Sequence, residues 1–160
     1  SASSVTFSGL ASYATAGYKH LQIRHVSRLD SIYNGGTLLI QFNGDTGSNY
    51  ARHFIQGSGS SVTATAQSSV SYGDAGNSVG GAQATGVFGA AVLDILDFAS
   101  TSKNTTTRNL GGVAGPSYNS IRLVSSLWNN TAAVTSIRLY QGATDNFVAG
   151  SRFSLYGSKA

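Results

Sequence analysis

The chain has 160 residues, 41% of them hydrophobic and only 10% charged, with ten Lys and Arg against six acidic residues, all Asp. It is one domain long and can bury a core without staples, and with no Cys it has neither disulfides nor thiolate metal sites. No apolar run approaches the ~20 residues of a membrane span, and the basic residues stand singly from Lys19 to Lys159 instead of forming the patch that phosphate binding requires. Neither a membrane nor a nucleic acid is therefore an expected partner. The net charge of +4 reflects a shortage of acids. The opening residues are polar, so no leader is expected.

Short apolar alternations separated by turn residues run the length of the chain, the all-β pattern. Val5 and Phe7 mark a first strand, and Leu21 and Ile23 alternate with polar neighbours in Tyr18–Ser27. Asn34-Gly35-Gly36 offers residues that accept positive φ, so a tight hairpin is expected there. Leu38, Ile40 and Phe42 line one face of the next strand. Asn43-Gly44-Asp45-Thr46-Gly47 then turns the chain into a strand in which Tyr50, Arg52 and Phe54 oppose Ala51, His53 and Ile55. These three strands are expected to form a meander, with Gly44 and Gly47 at positive φ and Asp45 accepting backbone N–H bonds within the turn.

Residues 57–86 are rich in Gly, Ser, Ala and Thr. They read as an edge strand with a long loop or as a surface excursion, and 73–86 are expected to be mobile or ordered by a partner. Val87–Ile95 is the strongest buried-strand candidate, although Val92, Ile95, Leu96 and Ala99 also fit a helical period. Thr105–Leu110, Ile121–Leu127, Val134–Tyr140 and Arg152–Tyr156 complete nine or ten strands. The expectation is one antiparallel β-sandwich domain over 1–160, jelly-roll-like.

Several motifs invite a chemical reading, and each has a simpler structural one. Asp45-Thr46-Gly47 has the sequence of an aspartic-protease loop, but Asn43-Gly44 separates it from the apolar strand, and a Gly-flanked turn accounts for it. His20, His25 and His53 are the candidate metal ligands, but His20 and His25 have opposite parity on one strand and point to opposite faces, which breaks a simple ligand pair. His25 shares the face of Leu21 and Ile23 and reads as a satisfied buried histidine. Asp94 and Asp97 read as ion-pair or turn residues. No Gly-x-Ser-x-Gly elbow is present, and Gly57-Ser58-Gly59-Ser60-Ser61 lacks the Lys and helix of a phosphate loop. Asn104-Thr105-Thr106 and Asn129-Asn130-Thr131 match a glycosylation sequon at chance frequency. Trp128 and the tyrosines Tyr13, Tyr18, Tyr33, Tyr50, Tyr72, Tyr118, Tyr140 and Tyr156 include the residue types of a sugar-stacking face. Trp128, at a strand end, also reads as a core or corner residue. No catalytic, cofactor-binding or metal-binding residue is assigned, and no enzyme activity or cofactor is expected.

Phe42-Asn43-Gly44-Asp45-Thr46-Gly47-Ser48-Asn49-Tyr50, followed by Gly57-Ser58-Gly59-Ser60-Ser61, resembles a pattern of small structural proteins of tailed bacteriophages. So do Tyr18–Arg24, Leu127–Ile137 and the ending Ser154-Leu155-Tyr156-Gly157. Such proteins are frequent among marine and freshwater phages. The resemblance spans nearly the whole chain, is weakest across 72–86, and leaves Tyr13–Gly17 as a small insertion. It implies native residues ahead of Ser1, where similar proteins carry a further short strand. It also implies a virion protein on the outer surface of the particle, as a head decoration or a tail or head fibre component, with other capsid or tail proteins as partners. Low charge and strand-face side chains such as Leu39 and Tyr140 add the expectation of a homo-oligomer, a trimer by preference. The alternative is a carbohydrate-binding receptor-recognition module of a tail fibre, with a host-surface glycan as ligand.

Overall fold

The computed structural model describes residues 1–142 and 144–159. Its elements in chain order are β1 (Ser4–Phe7), α1 (Leu10–Thr15), β2 (His20–Ser27), β3 (Gly35–Phe42), β4 (Tyr50–Ser58), β5 (Ser61–Val70), β6 (Gly73–Val79), β7 (Gly89–Ile95), β8 (Thr105–Ala114), β9 (Asn119–Trp128), β10 (Ile137–Gln141) and β11 (Arg152–Ser158). Two antiparallel sheets pack face to face, ordered β1-β10-β3-β6 and β11-β2-β7-β8-β9-β4-β5. With the meander β7–β8–β9 counted as one position, the orders become 1-8-3-6 and 2-7-4-5, a double Greek-key jelly roll with β11 appended outside β2.

Period-2 alternation is carried into burial on the long strands. β8 and β9 bury every second residue over most of their ten, and β2 buries Leu21, Ile23, His25 and Ser27. The apolar core joins Leu21, Ile23, Leu93 and Ile95 of the larger sheet to Leu38, Ile40, Phe42, Ile137 and Leu139 of the smaller one, closed by Phe98, Trp128 and Tyr50. The helical alternative for 92–99 does not hold. Strand β7 ends at Ile95, and a turn follows in which Asp97 has φ 50. Tyr13–Gly17 falls largely within α1, which seats Leu10 in the core beneath a backbone bond from its N–H to the Thr135 carbonyl.

Three expectations are corrected. The strands around 20–27, 35–42 and 50–58 are not a meander, because β3 lies in the smaller sheet between β10 and β6 while β2 and β4 lie in the larger. Each turn between them therefore crosses the sandwich instead of closing a hairpin. Gly35 and Gly36 are not turn residues but the first residues of β3, where a Cβ at Gly35 would meet the Tyr118 ring at 2.6 Å.

The third correction concerns 73–86. Residues Gly73–Val79 form a strand whose every residue is buried, lying against β7, β8 and β9. Its small residues are a packing requirement. A Cβ at Gly73 would stand 2.9 Å from Ile40, and one at Gly76, already at φ 107, would stand 2.8 Å from the Asn109 side chain. The following segment is held by Arg28, whose guanidinium donates to the carbonyls of Gly81, Gln83, Ala84 and Val87. Four carbonyls that would otherwise need water are satisfied by one side chain.

Candidate functional site

The Asn43–Asn49 loop is built as a structural knot. Asn43 at φ 53 and Gly44 at φ 70 make a tight turn closed by the Asp45 N–H to the Phe42 carbonyl at 2.9 Å. Both central residues of such a turn need positive φ, which explains Asn-Gly. Gly47, expected at positive φ, does not have it. The Asn43 side chain then staples the loop to the segment ahead of β10. Its Oδ1 accepts from the Thr135 and Ser136 N–H groups, and its Nδ2 donates to the Ala133 carbonyl.

Asp45 does accept within the turn, from the Gly47 N–H at 2.8 Å, but it reaches further. Its Oδ2 accepts from Trp128 Nε1 at 2.7 Å and from Asn49 Nδ2 at 2.9 Å. The Trp128 donor, with Asn49 and Gly47, holds the carboxyl below its ordinary range against the upward push of partial burial. Trp128 is 1% exposed, in contact range of the Phe42 and Tyr50 rings, and the Tyr50 hydroxyl donates to the Asp45 carbonyl. An aspartic-protease carboxyl shares a proton with a second carboxyl. This one is instead committed to N–H donors on both oxygens.

The other residues singled out from the sequence separate into structural roles. His20 Nδ1 accepts from the Asp97 N–H, His53 is exposed, and His25 is buried between Ser27 Oγ and the Ala75 carbonyl, each at 3.1 Å. Because a carbonyl only accepts, the proton belongs on Nε2 of His25, while Nδ1 faces the Ser27 hydroxyl oxygen, whose own proton goes to Ser78. Burial lowers its pKa to about 4, with the Ala75 bond opposing. Among the described residues no group of three His, Cys, Asp or Glu is placed to hold a metal ion. Asp94 accepts from Gln22 and Arg108, and Asp97 pairs with Lys103 at 2.6 Å. Trp128 and Tyr50 are core residues, while the exposed Tyr13, Tyr33 and Tyr156 lie on α1, on the loop before β3 and on β11.

One buried cluster had no signal in the sequence. Asp74 is fully buried, with its Oδ2 2.6 Å from Arg122 and 3.3 Å from Arg52, and its Oδ1 accepts the Gly76 N–H. Arg122 lies 3.7 Å from the Phe54 ring centroid and donates to Thr37. Burial raises the Asp74 pKa, and the nearby arginines and the Gly76 N–H pull it back. The cluster ties β6 to β4 and β9 where the sandwich interior is polar.

The surface feature that stands out is the outer face of the larger sheet. Ile55, Leu123, Leu110 and Val92 stand directly opposite one another across four adjacent strands. The next row runs from Val62 through Gly57, Ile121, Gly112 and Ala90 to Val26. Seven large aliphatic side chains on this face, Val26, Ile55, Val62, Val92, Leu110, Ile121 and Leu123, are each between 39% and 72% exposed. Leu39 and Tyr140, expected to be the exposed ones, are not. Leu39 is 8% exposed and Tyr140 is half-buried under Arg138. A row containing His53, Ser125, Arg108, Asp94 and Gln22 bounds the apolar patch on one side. Comparison with protein-family models, curated proteins and solved structures returns no match for this chain.

Proposed function

We propose that this protein is a non-enzymatic structural component on the outer surface of a tailed-phage particle. In this reading its larger sheet packs against neighbouring copies, as a trimer, and against other virion proteins. The observation that supports the reading is the contiguous apolar face of β4, β9, β8 and β7. Patches larger than a few hundred Å² are uncommon on monomers and mark interaction surfaces.

The energetics fit an assembly contact. Full burial of a Val, Leu or Ile side chain is worth ~1.5–3 kcal/mol, so covering seven that are about half exposed contributes roughly 5–10 kcal/mol. That is of the order of the ~4–15 kcal/mol lost in association, so polar contacts at the rim decide the affinity. The low charge suits close packing, since few like charges oppose one another across the contact.

The experiment is a density map of the intact particle, with the chain fitted as a rigid body. The expected result is density for the sandwich on the outside of head or tail, with the face of Leu110 and Leu123 covered by a neighbour. A map that accounts for the outer surface without this chain, or shows that face bare, refutes the reading. Sedimentation equilibrium tests the stoichiometry, with three copies of the 16.5 kDa chain, or a whole multiple of three, expected.

A further inference from the structure

The larger sheet ends on β5, which among the described residues pairs only with β4 and runs for ten residues, Ser61–Val70, without a charge or a proline. Most of its residues are exposed. Such an edge is a template for another strand, and natural proteins blunt their edges with short length, lysine, proline or bulges. The opposite edge of the sheet follows that practice. There β11 is seven residues long, opens on Arg152 and is followed by Lys159. On β5 the one irregularity lies at the far end, where the register shifts between Tyr50 and Arg52 and Ser69 has φ 55. Ser61–Gln67 is regular.

Which backbone groups are open follows from the hairpin. Ser58 pairs with Ser61 around Gly59, at φ 60, and Ser60, a two-residue turn with Gly in its first central position. The closing pair of such a turn is hydrogen-bonded. Ser61, Thr63, Thr65 and Gln67 therefore direct their backbone bonds to β4, while Val62, Ala64 and Ala66 direct N–H and C=O to the open side.

We propose that this edge pairs antiparallel with β5 of a second copy across a two-fold axis, joining two seven-stranded sheets into one. A second copy fits because the strand is complementary to itself. It carries no ionisable residue, so no like charges meet when it faces its own reverse, although the chain as a whole is at +4. Val62, Ala64 and Ala66, and Thr63 and Thr65, are small or β-branched and oppose their counterparts without crowding. Val62 is 72% exposed and Ala64 stands opposite Ile55, so the apolar outer face continues across the junction. A two-fold contact uses the same surface on both partners, so this edge takes two copies, and together with a three-fold contact through the outer face it joins two trimers into a hexamer. The inference deepens the structural reading above by naming the partner at this edge, and it does not depend on where the protein sits in a particle.

The chain has no Cys, so single cysteines placed in turn at residues 62 to 66 report the contact under mild oxidation. The expected result is a disulfide-linked dimer that peaks at one position and falls off on both sides. Ala64→Pro removes only an outward N–H, which an edge strand tolerates. It should weaken self-association at least tenfold and leave the melting temperature unchanged at dilutions where the parent is monomeric, with Ala64→Lys acting the same way. Leu110→Lys, in the middle of the outer face, should leave the cross-link in place. A monomer mass up to millimolar concentration overturns the proposal. So does association that Leu110→Lys abolishes and Ala64→Pro does not touch. A particle map without the protein sinks the virion reading and leaves this dimer standing.

Discussion

Replacing Asp45 tests whether its carboxylate is a keystone of the β3–β4 crossing. In Asp45→Ala the loop loses its acceptor for the Gly47 N–H, for Asn49 Nδ2 and for the indole N–H of the buried Trp128. Hydrogen bonds to a charged group contribute ~1.5–3 kcal/mol each, and a buried donor left without a partner costs ~1–3 kcal/mol. Asn49 and Gly47 can turn to water, so the indole dominates and a net loss of about 2–4 kcal/mol is expected. For a chain of this length that is a fall of roughly 5–15 °C in melting temperature. Asp45→Asn is no mild change, because its amide has one acceptor oxygen and turns an NH₂ towards either Trp128 or Gly47. A loss of about 1–3 kcal/mol follows, comparable with the ~1–3 kcal/mol of backbone strain in Gly44→Val at φ 70. The pH dependence gives a second handle. The folded pKa of Asp45 is lowered, so its contribution is fully present above the unfolded carboxyl pKa and is lost as pH falls through the folded value. Thermal melts of parent and Asp45→Ala should therefore lie well apart at neutral pH and converge in acid. A variant that melts with the parent at neutral pH refutes the keystone argument.

Further outcomes follow from the same geometry. His25 is buried neutral with a pKa lowered to about 4, so the unfolded state takes up a proton that the folded state refuses between about pH 6.5 and 4. Stability should fall across that window as pH drops, and His25→Gln should flatten the slope in pH-dependent denaturant melts. Asp74→Ala leaves Arg122 and Arg52 facing each other without their counter-charge, and a loss of about 3–5 kcal/mol in urea unfolding is expected. Arg28→Ala should release residues 80–87, seen as faster amide exchange there with β6 still protected; unchanged exchange would show that the loop holds itself.

The sequence by itself determined the all-β class and the position of most strands, because alternation with period two is a local property. Leu21-Ile23, the alternation through Tyr50–Ile55 and Ile121–Leu127 all lie on strands as read. So does the satisfied burial of His25, whose parity with Leu21 and Ile23 places it inside. Which sheet each strand joins was decided only in the tertiary structure. Nothing local distinguishes a turn that closes a hairpin from one that crosses the sandwich, and β3 pairs with β10 about a hundred residues away. Strand β6 was hidden for a related reason. The alternation signal assumes an apolar partner surface, whereas Gly73–Val79 packs against Asn109, Ser120, Arg122 and Ser126 and needs small and polar residues there. The bond from Trp128 to Asp45 spans 83 positions, and the Arg52–Asp74–Arg122 cluster draws on three strands. Contacts of this kind exist only once the two sheets have met, since burial is what makes an unpaired indole N–H or carboxylate costly enough to require them.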